Sequence, residues 1–282
     1  MISVIIPTYN RASCLNEAIQ SVLSQDYFNH QGGYPFELIV VDDGSTDHTQ
    51  EVVESYGDKV KYIYQEHSGV SRARNLGLEL SKGHFIAYLD SDDLWEKDKI
   101  RSQMSLMKVF PETMISYTQE IWIRKGVRVN PKKKHRKYSG WIFDKSLSLC
   151  LLSLSSALFR EEIFQEVGFF DEQLPACEDY DMGIRIASRY PFHLISKPLI
   201  IKRGGHSDQL SRKFWGMDRF RVRALEKALN LSLTSPQKEL VRKEMIRKCR
   251  ILVKGCQKRR KNQEAKKYLR IIQKYEGSKE DP

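Results

Sequence analysis

The amino-acid sequence predicts an α/β fold in which a mostly parallel β-sheet carries helices on both faces. The first hundred residues alternate between short, almost wholly apolar runs and longer stretches whose apolar residues recur every three or four positions. The apolar runs are typical of strands buried on both faces, and the second pattern is typical of amphipathic helices. Because the links are short, the alternation indicates helices that cross over between parallel strands.

Four strands and three helices account for this region in order. The predicted strands cover residues 2–7, 36–41, 59–64 and 84–89. The helices between them are marked by apolar residues recurring over residues 15–23, 52–53 and 70–80.

Beyond residue 110 the predicted elements are shorter. We expect two short strands within residues 114–123, a helix over 178–189, and two short strands within 192–202 that are split at Pro198. A basic helical hairpin closes the chain, with Ser235 as the N-cap of its first helix and Pro236 as the first helical residue. Apolar stripes mark its two helices, namely Val241, Met245, Cys249, Leu252 and Cys256, then Ala265, Tyr268, Leu269 and Ile272.

Composition excludes several classes of protein. No apolar run approaches the ~18 residues of a membrane-spanning helix, and the chain begins on a strand without a basic leader. We therefore expect a cytoplasmic protein. The five cysteines are scattered and form no Cys-x-x-Cys pair, which indicates free thiols rather than a zinc site or a disulfide framework.

The positive charge of the chain is concentrated in its tail. Residues 236–282 hold 16 Lys or Arg and 6 Asp or Glu, a net charge of +10, whereas the first 235 residues carry only +1. This distribution, without any nucleic-acid-binding signature, predicts no nucleic-acid partner. Two interpretations of the tail remain: a solvated hairpin packed on the domain, or a surface that adsorbs to the anionic inner face of the membrane. The charged residues are spread around both helices, which favours adsorption over insertion.

Carboxylates are grouped where the fourth predicted strand ends, in Asp90-Ser91-Asp92-Asp93. Ligands of open α/β sheets bind beyond the carboxyl ends of the strands, so this cluster lies where a ligand is expected. Grouped carboxylates are costly unless compensated, and a Mg²⁺ or Mn²⁺ ion shared with phosphate oxygens would compensate them. The alternative is a solvated turn that caps the following helix, and a D-x-D pattern alone is too short to decide.

Polar residues also follow the first two strands. Either Asp42 or Asp43, after the second strand, could accept the N3–H of a uracil ring. Tyr9 lies two residues beyond the first strand, where its ring could stack on such a base or be buried.

Two arginines, Arg72 and Arg74, lie at the start of the helix that follows the third strand. A helix N-terminus already presents positive partial charge and normally avoids cations. The pair therefore indicates an anionic ligand nearby rather than two solvated charges.

Taken in order, these motifs resemble those of the family-2 inverting glycosyltransferases of GT-A fold. Five motifs in one order, spanning roughly residues 1–215, are far more specific than any one of them. They are Pro7-Thr8-Tyr9-Asn10, Val41-Asp42-Asp43-Gly44-Ser45, Gly69-x-Ser71-x-Ala73-Arg74-Asn75, Asp90-Ser91-Asp92-Asp93 and Glu178-Asp179.

The resemblance implies roles for individual residues. It implies that Tyr9 and Asp43 hold the uracil of a UDP-sugar, that Asp92 binds a divalent metal ion (Mn²⁺ or Mg²⁺), and that Asp179 is the catalytic base. The further residues that it implies on the donor side are Pro7, Arg74, Asp90 and Ser91.

The base also has a chemical argument, because an inverting transfer needs a carboxylate that takes the proton of the acceptor hydroxyl. Residues 178–181 begin a predicted helix with three acidic side chains, although a helix dipole alone favours such residues there. Together with the other motifs, this pattern favours Asp179 as the base. His206 could complete the metal shell or be a surface histidine, and the basic loop 132–137 could face an anionic ligand or solvent.

These observations predict a metal-dependent inverting glycosyltransferase that uses a nucleotide-diphosphate sugar, preferably a UDP-sugar. The expected acceptor is a hydroxyl group of a cell-envelope glycan or lipid-linked saccharide. Residues 1–110 would bind the donor, residues 111–215 would bind the acceptor and supply the base within the same GT-A-type domain, and residues 216–282 would form a basic helical extension.

The sequence leaves two other functions open. One is a nucleotide-sugar-binding protein without turnover. The other is a nucleotidyltransferase, which would need a glycine-rich, lysine-bearing loop after the first strand, whereas residues 7–11 contain neither glycine nor lysine.

Overall fold

The structure is a computed structural model that describes residues 1–29, 33–205 and 214–276. Its first hundred residues alternate strands and helices as predicted. In order they are β1 (Ile2–Thr8), α1 (Ala12–Leu23), α2 (Asp26–Asn29), β2 (Phe36–Asp42), α3 (Thr49–Glu54), β3 (Lys61–Tyr64), α4 (Val70–Glu79) and β4 (Phe85–Tyr88). The four strands are parallel and lie in the order β3-β2-β1-β4, which confirms the predicted sheet.

Antiparallel pairings enter the sheet only beyond β4. The elements of this region are β5 (Leu94–Trp95), α5 (Lys99–Val109), β6 (Ile115–Arg124), β7 (Val127–Val129), α6 (Phe143–Ser148), β8 (Leu158–Arg160), α7 (Glu162–Val167), α8 (Glu178–Ala187) and β9 (His193–Gly204). The sheet continues from β4 through β8, β6 and β9 to β5, and β7 pairs with β6. Only β6 and β9 are parallel here. The fold is therefore α/β, with a parallel half and a mixed half.

Two regions that the sequence divides into short strands are each a single strand. β6 runs unbroken, and β9 continues through Pro198. The pairing slips instead, because Thr118 pairs with Ile195, Gln119 with Pro198 and Glu120 with Ile200. Proline has no N–H to donate, and this local irregularity accommodates it without ending the strand.

Helices cover both faces of the sheet, as predicted. Side chains alternate along β1, so that Val4 and Ile6 belong to one buried cluster with Ile19 of α1. Ile5 points to the other face and belongs to a second cluster with Ala73 of α4. The period of two along a strand thus divides the core into two layers.

Three helices follow the domain in the described chain: α9 (Asp218–Ala228), α10 (Ser235–Lys258) and α11 (Asn262–Glu276). α10 and α11 pack as a hairpin, and α9 contacts both α10 and α8. The predicted stripe of α10 is buried at all five positions. No helix among the residues described is both long enough and apolar enough to span a lipid bilayer.

Two details of this hairpin differ from the prediction. The N-cap of α10 is Thr234 rather than Ser235, because Thr234 and Gln237 form a reciprocal capping box and Pro236 lies one residue later than expected. Leu269, predicted to lie on the buried stripe of α11, is 41% exposed, whereas the other three predicted positions, Ala265, Tyr268 and Ile272, are buried.

Lys99 lies in the core and has no carboxylate partner among the residues that the structure describes. Lys99 at the start of α5 is fully buried, with its Nζ 4.0 Å from the centre of the Trp95 ring and 3.4 Å from the carbonyl oxygen of Ala157. Burial, and secondarily the positive charge of Lys137, lowers the pKa of Lys99 well below its usual value.

We therefore expect Lys99→Met to stabilise the protein near neutral pH by about 1–3 kcal/mol, because it removes the cost of burying an amine. A lysine whose folded pKa is lowered costs stability below its unfolded pKa of about 10.4, and the cost fades as the pH rises to that value. Urea unfolding at several pH values should therefore show an advantage that shrinks toward alkaline pH. The exposed Lys97→Met serves as control, and a Lys99→Met variant destabilised equally at every pH would contradict this account.

Candidate functional site

The strand ends bring the predicted donor residues to one rim of the sheet. β1 lies between β2 and β4, with Pro7 opposite Val41 in the register. Pro7 itself is buried within β1, whereas Tyr9 and the turn after β4 lie at the end of the strands. The adjacency expected from parallel strands is therefore present.

Asp43 organises the loop that leads into α4. Its buried carboxylate accepts hydrogen bonds from Gln65 Nε2 at 2.6 Å, from the Ser68 N–H at 2.8 Å and from the Gly69 N–H at 2.9 Å. The Nδ1 atom of His67 lies 2.8 Å from the same carboxylate. Asp43 therefore shapes this loop, and its contact with a uracil N3–H stays a prediction.

Tyr9 stacks on a residue that the sequence analysis missed. Its ring lies parallel to the imidazole of His67, with 4.2 Å between the ring centres, and 43% of Tyr9 is exposed. His67 carries no signal in spacing or periodicity, and only the loop held by Asp43 brings it to Tyr9. The two rings form an aromatic surface at the rim.

The three carboxylates after β4 have different surroundings. Asp93 is buried, accepting hydrogen bonds from Ser155 Oγ at 2.8 Å and from the Arg203 N–H at 3.0 Å. Burial raises the pKa of Asp93 well above its usual value, and its two acidic neighbours raise it further. Asp92 is partly exposed. Asp93 is therefore a structural group, whereas Asp92 keeps contact with solvent.

Arg203, on β9, holds this turn in place from the other half of the sheet. Its Nε donates to the carbonyl oxygen of Asp92, and its guanidinium also pairs with Glu17 on α1. Ser91, between the carboxylates, is buried. The turn is thus fixed by residues that are distant in sequence, and no local pattern indicates Arg203.

Arg74 joins the two halves of the site. Its buried guanidinium donates to Glu178 Oε1 at 2.6 Å and to Asp90 Oδ1 at 2.9 Å. Burial opposes its charge, but the two carboxylates raise the pKa of Arg74 above its usual value. The sequence predicts an anionic ligand near Arg74. In the structure, the anions that contact Arg74 are the carboxylates of Asp90 and Glu178. Exposed Arg72 likewise pairs with Glu79, at 3.1 Å.

Asp90 remains ionised through the same pair. Burial works against its charge, but Arg74 and then Lys202 hold the pKa of Asp90 below its usual value. Its backbone N–H donates to Ser155 Oγ at 3.1 Å. Contact of Arg74 and Asp90 with a donor stays a prediction.

Asp179 begins α8 next to Glu178, and its carboxylate is only partly exposed. Burial, and then the Asp179 carboxylate, raises the pKa of the Cys150 thiol, and the same two causes raise that of Cys177 to about 12. Both cysteines are free thiols. Cys177 has a φ of +66°, a left-handed conformation that a residue other than glycine seldom adopts. Asp179 therefore helps to keep both thiols protonated.

Lys202 on β9 is the main functional candidate that the sequence analysis missed. Burial lowers its pKa, but nearby carboxylates outweigh this and raise it overall. Its Nζ lies 3.4 Å from Ser153 Oγ. The carboxylates responsible come from both halves of the site, and they are Glu120, Asp93, Asp90 and Asp179. In the sequence, Lys202 stands out only as a cation directly after an apolar run. That pattern does not reveal its carboxylate neighbours.

Lys137, the last residue of the basic loop 132–137, forms an ion pair inside the protein and does not face a ligand. Lys137 is buried, with its Nζ 2.7 Å from Glu120 Oε1. Burial opposes ionisation of Glu120, but Lys137 and Lys202 lower its pKa to about 2. The expectation that the whole loop faces a ligand or solvent is therefore wrong for Lys137.

The part of the chain with described coordinates contains no group of three or more His, Cys, Asp or Glu side chains that could hold a metal ion by itself. His206, the second predicted metal ligand, lies outside the described residues.

Comparison with known proteins gives one family and one fold. A family model described as glycosyl transferase family 2 matches residues 3–168. An uncharacterized glycosyltransferase of Rickettsia prowazekii is 36% identical over 217 residues, which cover 74% of this chain and 65% of that protein. The Escherichia coli UDP-Glc:alpha-D-GlcNAc-diphosphoundecaprenol beta-1,3-glucosyltransferase WfgD is 39% identical over 109 residues, 38% of this chain and 41% of that protein. The chain spans less than two thirds of the length of both relatives.

Two solved structures share the fold. Staphylococcus aureus TarS 1–349 in complex with UDP-GlcNAc is 22% identical, with a TM-score of 0.71 over 87% of this chain and 72% of that one. Mannosyltransferase PcManGT from Pyrobaculum calidifontis, in complex with GDP-Man and Mn²⁺, is 18% identical, with a TM-score of 0.62 over 99% of this chain and 88% of that one. Both likenesses concern the GT-A architecture.

We expect Arg74→Met to destabilise the protein by about 3–5 kcal/mol, because it leaves the buried Glu178 carboxylate unpaired. Arg72→Met is the matched control, and it should cost less than about 1 kcal/mol because its ion pair is exposed. Adding Glu178→Gln to Arg74→Met should recover part of the loss. Urea unfolding of the four proteins measures this, and equal costs for the two arginine variants would show that Arg74 holds nothing together.

Proposed function

Because this chain belongs to glycosyl transferase family 2, we propose that it transfers a sugar from a UDP-sugar to an acceptor hydroxyl, with inversion at the anomeric carbon. The observation that carries the proposal is the bridge made by Arg74, which bonds Asp90, in the turn that also contains Asp92, and Glu178, next to Asp179 at the start of α8. Tyr9 and Asp43 lie at the ends of the neighbouring strands β1 and β2. Donor binding and proton abstraction would take place on the two sides of this bridge.

The donor base is assigned to the aromatic rim. The exposed part of Tyr9, braced by His67, offers a surface on which a pyrimidine ring can stack. Asp43 lies directly beneath His67 and would accept the N3–H of uracil at the cost of one of its present hydrogen bonds. UDP-GlcNAc bound by TarS supports a uridine donor. Pro7, Ser91 and Asp90 would line the donor side from the backbone of β1 and the turn after β4.

The residues present fit a divalent metal ion at Asp92. A carboxylate at a partly exposed rim is a ligand that Mg²⁺ and Mn²⁺ accept, and these ions commonly complete their shell with phosphate oxygens and water. Mn²⁺ in the PcManGT complex supports this choice. Such an ion would offset the charge that develops on the departing diphosphate. Arg203 keeps Asp92 in position through its backbone carbonyl, and His206 remains a second proposed ligand.

Asp179 is the proposed base that takes the proton of the acceptor hydroxyl. Lys202 places a positive charge near its carboxylate. The thiols of Cys150 and Cys177 stay protonated beside it and can act only as weak donors. Lys202 also lies near Asp90 and Asp93 of the donor rim. We assign it the role of compensating these carboxylates and Asp179 within one site.

Two observations support the proposed acceptor, namely which half of the domain supplies the base and what the name of one relative says of its acceptor. Residues 1–110 supply the donor rim, and residues 111–215 supply Asp179 and Lys202, so the acceptor would enter against the second half. The name of WfgD gives a diphosphoundecaprenol-linked sugar as its acceptor. A saccharide or lipid-linked acceptor of the cell envelope is therefore the class we propose for this chain.

For donor binding we expect a UDP-sugar with Mn²⁺, at about 100 times its Kd, to stabilise the protein by roughly 2.7 kcal/mol in a thermal-shift experiment. Asp92→Asn should abolish the Mn²⁺-dependent part of this shift while leaving the fold intact, because the residue lies at the rim. Asp58→Asn, at an exposed aspartate of the chain, should behave like the parent. Full Mn²⁺-dependent binding by Asp92→Asn would refute the metal assignment.

For the base we expect Asp179→Asn to lower kcat by roughly 10²–10⁴-fold with little change in donor affinity. Steady-state release of UDP and calorimetric titration with the donor separate these two effects. Asp181→Asn is a control on the same helix. It breaks ion pairs with Arg185 and Lys227, so it should lower stability and leave kcat of the folded protein close to the parent. Loss of donor binding by Asp179→Asn would make Asp179 a donor ligand instead.

A further inference from the structure

One side of α10 is exposed along the full length of the helix. Residues spaced three or four apart lie on one side of a helix. Six such residues form a stripe of four cations and two aliphatic side chains, named here the α10 face: Leu240, Lys243, Arg247, Ile251, Lys254 and Lys258. All six are exposed, and Leu240 and Ile251 keep 40% and 48% of their surface in solvent.

The opposite side of α10 explains why this face points away from the protein. The buried stripe from Val241 to Cys256 packs into the core that α9, α6 and α11 share. Lys248 also turns inward, where its Nζ lies 3.0 Å from Glu244 and 3.5 Å from Asp218. The helix is therefore fixed in rotation, and the composition of its outer face is set by packing.

Acidic side chains are kept off most of this face. Glu244 is largely buried and bonds Arg247 and Lys248. Glu239 lies beside the start of the face, 3.4 Å from Lys243. Lys254 and Lys258, at the other end, have no carboxylate partner within the described chain. The net positive charge therefore increases toward the C-terminal end of α10, next to the exposed Arg259 and Arg260.

The structure thus revises the expectation from sequence that the charges are spread around the helix. Sequence alone counts every charged residue, whereas in the structure Lys248 is buried and Glu244 is only partly exposed. What remains is a continuous amphipathic stripe from Leu240 to Lys258, about 27 Å long at 1.5 Å per residue.

We propose that the α10 face adsorbs onto an anionic lipid surface. Lysine and arginine side chains would contact lipid phosphates, and Leu240 and Ile251 would enter the headgroup region beside them. This combination fits a bilayer better than a nucleic acid, because the face presents aliphatic side chains and no aromatic ring on which a base could stack. The first 235 residues carry a net charge of only +1, so the attraction would also orient the domain on the surface.

The test is co-sedimentation of the full chain with vesicles of phosphatidylcholine, alone or with about one third phosphatidylglycerol, at low and physiological salt. We expect binding to the anionic vesicles that weakens as salt rises. Lys254→Glu combined with Lys258→Glu should lower the partition coefficient at least about tenfold. Lys133→Glu combined with Lys134→Glu makes the same charge change on an exposed loop elsewhere and should lower it several-fold less.

Further outcomes decide between a specific face and general positive charge. Leu240→Ser combined with Ile251→Ser keeps the charge and should remove most of the binding that survives at physiological salt. Equal losses for the two lysine pairs, or equal binding to both kinds of vesicle, would overturn the proposal, as would displacement from vesicles by stoichiometric single-stranded RNA. The inference does not rest on the proposed donor or base. UDP-sugar affinity in solution should be unchanged in the α10 variants. If the parent protein itself binds no UDP-sugar, that result would count against the proposed function alone.

Discussion

A single buried guanidinium sets the arrangement of this molecule. Arg74, from the parallel half of the sheet, bonds Asp90 at the end of β4 and Glu178 at the start of α8. A buried cation is stable only with compensating charges, and a buried carboxylate is stable only with a partner, so each group fixes the others. The donor rim and the base helix therefore cannot be positioned independently. The proposed transfer depends on that fixed relation.

Around Arg74 and its two carboxylate partners, the other charged groups of the site compensate one another and differ in how deeply they are buried. Asp93 is buried and has a raised pKa, which suits a structural group bonded by Ser155 and Arg203. Asp92 and Asp179 keep contact with solvent, as groups that meet substrate must. Lys202 lies among the carboxylates of both halves. Neighbouring acids thereby differ in role because their surroundings differ.

The sequence predicted what local pattern controls. The parallel strands, the burial of the α10 stripe and the placement of Asp43 and Asp90 at strand ends all follow from periodicity and from where parallel strands end. It did not predict what distant contacts control. Lys202, Ser155 and His67 reach the site only through pairing and loop closure, and β9 passes Pro198 because its pairing slips there. Arg74 illustrates both cases. The sequence indicated that its charge needs an anion, but it did not reveal that Asp90 and Glu178 supply one.

The central claim is that donor and base meet across Arg74, and a crystal structure with a UDP-sugar analogue and Mn²⁺ tests it most directly. The account predicts uracil density against Tyr9, a metal ion bound by Asp92 and the diphosphate, and the anomeric carbon facing Asp179. The bonds from Arg74 to Asp90 and Glu178 should be kept. A donor bound away from the β1, β2 and β4 strand ends, or with its anomeric carbon turned from α8, would contradict the account.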